Sequence, residues 1–213
     1  DTMEKLRALF RTRNRFTIAV SGTGSAGMET AMVNLLEPGD RILIGVAGGF
    51  GERMCDVASR CGADVKRIEA KWGDVIEPGQ VRSLVKIEPF KVIALVHAET
   101  STGAKQPIPE ISRIVHEHGA LLLVDAVTSL AGCEVSVYDW NIDICYSGTQ
   151  KCLSCPPGLA PITLSEKAME AIRARKSPVQ SWYLDMTMIE RYWGEERFYH
   201  HTAPISIVYA LSE

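Results

Sequence analysis

Phe16-Thr-Ile-Ala-Val-Ser-Gly-Thr-Gly-Ser-Ala-Gly-Met28 is the stretch that decides the fold. An apolar, β-branched run breaks at a glycine-rich turn, and small residues then open a helical pattern. Strand, tight turn and helix form the opening unit of an α/β protein. The alternation continues outward from there. The spacing predicts strands over 15–20, 41–46, 63–68, 91–98, 120–124, 142–146 and 159–164. It predicts helices over 25–36, 51–61, 78–87, 109–118 and 166–176. Runs such as Ala120-Leu-Leu-Leu-Val124 are apolar on every residue, as in a strand covered on both faces. The expected fold is an α/β three-layer sandwich: a mainly parallel sheet flanked by helices. In such sheets ligands bind beyond the carboxyl ends of the strands.

Composition sets wide bounds. The chain has 213 residues, 46% apolar and 23% charged, with a net charge of -3, as in ordinary soluble domains. That balance gives no reason to expect nucleic acid or an anionic membrane as partner. No apolar run reaches the roughly 18 residues that span a bilayer. No signal-peptide pattern opens the chain, and both ends read as cut from a longer polypeptide. Cysteines stand at 55, 61, 133, 145, 152 and 155, mostly in apolar segments. Cys152-Leu-Ser-Cys155 has no second pair or histidine at zinc-site spacing, so no metal is expected. Reduced, structural cysteines favour a reducing compartment, read as the cytoplasm. A peroxisomal or mitochondrial address stays open because the termini look cut.

Gly22-Thr-Gly24-Ser-Ala-Gly27 matches the G-x-G-x-x-G pattern of dinucleotide loops. That reading needs an acid about 20 positions on, at the end of the second strand, to hold a ribose. Here that strand runs into Gly45-Val-Ala-Gly-Gly-Phe50, and Asp40 lies at its other end. A single phosphate fits better than a pyrophosphate. Small residues at a helix N-terminus expose amides, and the helix dipole favours an anion. The plain alternative is a tight turn with Ser25 as helix cap.

Two residues at other strand ends tip that balance. Asp125 closes an otherwise apolar strand, so it needs a cation or several donors around it. Lys151 follows Ser147-Gly-Thr-Gln150 and precedes Cys152-Leu-Ser-Cys-Pro-Pro-Gly158, an unusually apolar loop for a surface lysine. Alone, the first reads as a helix cap and the second as a solvated side chain. With a phosphate cradle they suggest pyridoxal 5′-phosphate, which needs a lysine for its covalent linkage, an acid for its ring nitrogen and an anchor for its phosphate.

These residues carry a family resemblance. The chain resembles the class V, fold-type I pyridoxal-phosphate aminotransferases, and within them the alanine–glyoxylate and serine–pyruvate group. The matching stretches are Ser21-Gly-Thr-Gly-Ser25, Leu36-Glu-Pro-Gly-Asp40, Glu99-Thr-Ser-Thr-Gly103, Leu122-Leu-Val-Asp-Ala126, Tyr146-Ser-Gly-Thr-Gln-Lys151, Pro156-Pro-Gly158 and Tyr199-His-His-Thr-Ala-Pro204, in family order. The resemblance implies that Lys151 carries the cofactor and that Asp125 pairs with its ring nitrogen. It implies that Thr23, Gly24, Ser25 and Gln150 hold the phosphate and that Phe50 stacks on the ring. Thr100 would bond near the phenolic oxygen. Tyr199 and Thr202 would reach the phosphate of a neighbouring subunit, in a homodimer with shared sites. Read without the resemblance, Tyr199-His-His-Thr202 is a polar loop with two satisfied histidines.

The resemblance also implies that residues 1–213 form the large cofactor-binding domain. An N-terminal arm and a small C-terminal domain, with the arginine that grips the substrate carboxylate, would lie outside them. The expected reaction moves an amino group from alanine or serine to glyoxylate or pyruvate in ping-pong order. The segments at 48–50, 100–103 and 151–155 hold no cation besides Lys151, which speaks against a dicarboxylic or phosphorylated donor. Two rivals are weighed. A desulfurase-like lyase of the same fold would carry histidines where Gln150 and Phe50 stand. A nicotinamide-dependent oxidoreductase would use the glycine loop and leave Lys151 and Asp125 unexplained.

Overall fold

A computed structural model describes residues 2–194 and 198–213. After a short helix α1 (Thr2–Leu9) the chain enters β1 (Phe16–Ser21) and α2 (Gly24–Leu35). Then come β2 (Arg41–Val46), α3 (Gly49–Arg60), β3 (Asp64–Glu69), α4 (Pro78–Val85) and β4 (Val92–Val96). α5 (Ile108–Glu117), β5 (Leu121–Asp125), β6 (Ile144–Tyr146), β7 (Leu159–Leu164) and α6 (Glu166–Arg173) follow. α7 (Met186–Trp193) and α8 (Ile205–Ser212) complete the order. Every strand and helix expected from the spacing is present, with no end moved by more than three residues. α1, α7 and α8 are additions that the spacing did not announce.

Seven strands form one sheet in the order β1-β7-β6-β5-β4-β2-β3. β2 to β6 are mutually parallel, each reached through a helix or a long crossover. β7 breaks the pattern and runs antiparallel to both neighbours, β6 and β1. The link at 147–158 holds no helix, so the chain turns back instead of crossing over. β1 and β6, each antiparallel to β7, therefore share one direction. The carboxyl ends of β1, β4, β5 and β6 gather at one edge of the sheet.

Successive strand residues point to opposite faces. Ile42, Ile44, Ala94 and Leu123 pack toward Met28, Met32 and Met54 of α2 and α3. Leu43, Ile93, Leu95 and Leu122 pack toward Ile111 and Val115 of α5 and Val81 of α4. β4 and β5 are buried along their whole length between these layers, as their unbroken apolar sequences require. No helix among the described residues is long and apolar enough to cross a membrane.

Candidate active site

Asp125, the last residue of β5, is 3% exposed. Its Oδ1 accepts the Val127 amide at 2.8 Å, and its Oδ2 accepts the Tyr146 hydroxyl at 2.7 Å. Tyr146 ends β6 in register with Asp125, which is why the two side chains meet. Burial pushes the Asp125 carboxyl up to about 6, and the nearby Glu99 charge adds to the rise. The two hydrogen bonds and Arg53 act against it. Tyr146 is raised well above the ordinary phenol range by burial first and by Asp125 second. The acid expected at this strand end is thus desolvated and held by two donors, with no cation bonded to it among the described residues.

The turn after β1 needs glycine. Gly22 has φ +145°, and a Cβ there would lie 2.5 Å from the Ala26 Cβ. A Cβ on Gly24 would lie 2.9 Å from Val127 Cγ2, so α2 starts directly against the residue that donates to Asp125. Thr23, rather than Ser25, takes the cap position, and its side chain makes no cap bond. The first turn of α2 therefore presents open amides, with the dipole favouring an anion.

Gly24, Ser25, Phe50, Asp125, Gln150 and Lys151 line one cleft of about 180 Å³, together with Met28, Arg53 and Val127. Lys151 is exposed in the 147–158 link. That link is pinned by bonds from Ser147 Oγ to the Ala126 carbonyl (3.1 Å) and from Thr149 Oγ1 to the Pro156 carbonyl (2.7 Å). A wider groove of about 580 Å³ runs past Phe16, Arg173 and Glu190. There Arg173 is already paired with Glu166 and Glu190, and no lysine, cysteine or hydroxyl side chain is among the described residues that line the groove.

Thr23, Thr100, Tyr199 and Thr202 do not line the cleft. Thr23 is the cap residue that directly precedes Gly24. Thr100 is exposed and donates to Thr128 Oγ1 at 3.3 Å. Tyr199 and Thr202 bond to each other at 3.0 Å, with Tyr199 71% exposed. Between them His200 stacks on Trp182 at 4.4 Å, and His201 Nε2 meets Ser21 Oγ at 2.7 Å, so both histidines are engaged.

Arg53 corrects the expectation that Lys151 is the one cation near the site. One turn beyond Phe50 on α3, it lies over the Phe50 ring at 4.8 Å and reaches Ser25 Oγ at 3.4 Å. Its i,i+3 spacing from Phe50 was the available signal. The sequence alone assigns no role to Glu99. At 1% exposure, its carboxylate accepts the amides of Phe50 (3.1 Å), Gly51 (3.2 Å) and Ser101 (3.2 Å) and the Ser101 hydroxyl (2.8 Å).

The family model for aminotransferase class-V matches residues 1–213. This chain belongs to the aminotransferase class-V family. It is 41% identical to the (S)-ureidoglycine–glyoxylate transaminase of Bacillus subtilis, over all of this chain and 56% of that protein. It is 40% identical to the alanine–glyoxylate aminotransferase of Oryctolagus cuniculus, over all of this chain and 55% of that protein. The crystal structure of an alanine–glyoxylate aminotransferase from Nostoc sp. superposes with a TM-score of 0.97 at 49% identity, covering 99% of this chain and 56% of that one. The chain spans about half the length of the curated relatives it matches. Class-V aminotransferases of this kind depend on pyridoxal 5′-phosphate. The cleft fits that group: an open helix start for the phosphate, a buried acid, a lysine and an aromatic ring face one space.

Proposed function

We propose that this protein moves an amino group from a small amino acid, alanine or serine, to a small 2-oxo acid, glyoxylate or pyruvate, in two successive half-reactions. One observation carries the reading: the buried Asp125 and the exposed Lys151 line the same cleft, together with Gly24 and Ser25 of the first turn of α2. When bound, the cofactor supplies an electron-withdrawing ring that stabilises negative charge at the substrate Cα. Gly24 and Ser25 would bind its phosphate through their amides, joined by the Thr23 and Ser25 hydroxyls and Gln150. Phe50 would cover one face of its ring, with Thr100 nearby. Lys151 would hold it covalently through Nζ. Once free of that linkage, Nζ would be the base that takes the Cα proton and later returns one as acid. Asp125, its orientation fixed by two donors, would supply the negative charge that pairs with the ring nitrogen.

Small substrates are supported by the relatives named for glyoxylate. The absence of a second cation no longer supports them, because Arg53 lines the cleft. Shared sites in a homodimer are supported by Tyr199 and Thr202, which stand outside their own chain's cleft. The cytoplasmic reading is supported by six free cysteines. Single-turnover rates of cofactor bleaching with alanine, serine, glutamate and phosphoserine test the substrate. Alanine or serine should give the largest rate constant over dissociation constant. A lead for glutamate or phosphoserine removes the small-donor reading.

A further inference from the structure

Glu99 opens the stretch Glu99-Thr-Ser-Thr-Gly103, yet neither the resemblance nor the proposed reaction gives it a task. It is 1% exposed, has no cation bonded to it among the described residues, and sits beyond the end of β4. Such a group persists in a fold only where its oxygens are well supplied with donors. Four converge here. Two, from Phe50 and Gly51, belong to the first turn of α3, and two come from Ser101. Ser101 Oγ in turn accepts the Gly49 amide at 2.9 Å, so one cluster engages three consecutive amides at the helix start. Gly48 has φ +157°, and a Cβ there would lie 2.5 Å from Glu99 Cγ and collide with Ser101 Oγ. The chain has thus been brought as close to the carboxylate as a residue without a side chain allows.

We infer that Glu99 is a positioning residue whose buried carboxylate fixes the first turn of α3 and so sets the face that Phe50 turns toward the cofactor. This rests on the proposed function, since it assigns Phe50 the stacking role. The chemistry calls for an anion. A carboxylate offers only acceptors, whereas an amide would aim an NH₂ group at N–H donors. The helix dipole adds a preference for negative charge at this point. Of the residues this anchor holds, Phe50 is the one that lines the cleft.

The test is a double-mutant cycle on cofactor binding. Glu99→Gln, Phe50→Leu and the double variant are prepared in the protein and stripped of cofactor. Dissociation constants for pyridoxal 5′-phosphate are measured together with the circular dichroism of the bound cofactor's visible band. Each single change should weaken binding about tenfold, the loss of one charged hydrogen bond or one ring contact. If Glu99 acts through Phe50, the double variant also loses about tenfold and Glu99→Gln diminishes the dichroic band. Losses that multiply to about a hundredfold, or an unchanged band with Glu99→Gln, overturn the inference. Should Glu99→Gln not fold, Ser101→Ala takes its place in the cycle. Its single effect should be smaller, and the same two results support or overturn the inference. A parent protein that takes up no cofactor overturns the functional reading and this inference with it. Uptake with multiplicative losses overturns the inference alone.

Discussion

α2 and α3 begin in the same way and are finished differently. Each follows a strand, and each is led in by a glycine at positive φ, Gly22 or Gly48. At α3 the free amides are met from within, by Glu99 and Ser101. At α2 the cap side chain makes no bond, and the first turn opens on the cleft with Lys151 and Asp125. Both helices have the same electrostatic need at the start. The fold answers it at one and leaves it open at the other. The carboxylates follow suit: Glu99 has four donors, whereas Asp125 has two and stands partly uncompensated.

The contrast can be broken hardest at the open end. Lys151→Ala should remove the borohydride-reducible yellow chromophore and lower turnover by on the order of 10⁴-fold or more, as loss of a covalent catalyst does. A stable lysine adduct formed by that variant would show that the wrong residue has been chosen. Asp125→Asn keeps the shape and both neighbours but removes the charge. It should retain cofactor and lose roughly 10²–10³ in turnover, the scale of a missing preorganised electrostatic partner. Near-normal turnover would reduce Asp125 to a strand cap.

A third effect needs no cofactor. The Asp125 carboxyl is held at about 6 in the folded chain, against 3.8 ordinarily, so the folded state keeps its proton where the unfolded chain has lost it. This contribution to stability is complete below pH 3.8 and disappears as pH rises through about 6. Its upper size is about 3 kcal/mol, from the shift alone. Denaturant unfolding of cofactor-free protein at about pH 4.5 and about pH 7, either side of the folded value, should show the loss, and Asp125→Asn should abolish it. An identical pH dependence in the two proteins would place the origin elsewhere. The smallest effect lies at the α2 start. Thr23→Val with Ser25→Ala should weaken cofactor binding about tenfold by removing hydroxyl donors. Cofactor-free stability should stay within about 0.5 kcal/mol, because neither hydroxyl caps the helix. A large drop in stability would mean that the two helix starts are built alike after all.

Much of this was legible in the sequence. Val92–Val96 and Leu121–Val124 announce buried strands because nothing polar interrupts them, and Asp125 is conspicuous for ending such a run. Lys151 is conspicuous for its apolar loop. The reversal of β7 was not seen, because strand spacing records where strands lie and not which way they run. α8 escaped notice because its apolar residues show no helical stripe, and none of them is buried. Arg53 and Glu99 stayed hidden for a different reason. Arg53 matters only because α3 turns it over Phe50, and Glu99 meets Phe50 across 49 residues of chain. Neither closeness is written in local pattern.

The antiparallel return of β7 also governs the order of assembly. Within the sheet β1 has no neighbour except β7, and Phe16 pairs with Leu164 at the far end of the parallel core. During synthesis β1 emerges early, as an apolar strand with both edges bare, and waits for almost the whole sheet to be translated before its partner arrives. Long-range pairings of this kind are slow to form and leave sticky edges exposed in the interval. The glycine turn after β1 is therefore among the first parts of the site to be made and among the last to be fixed. Substitutions in β7 should show themselves as aggregation and chaperone dependence in cells, even when the purified survivors carry an undamaged cleft.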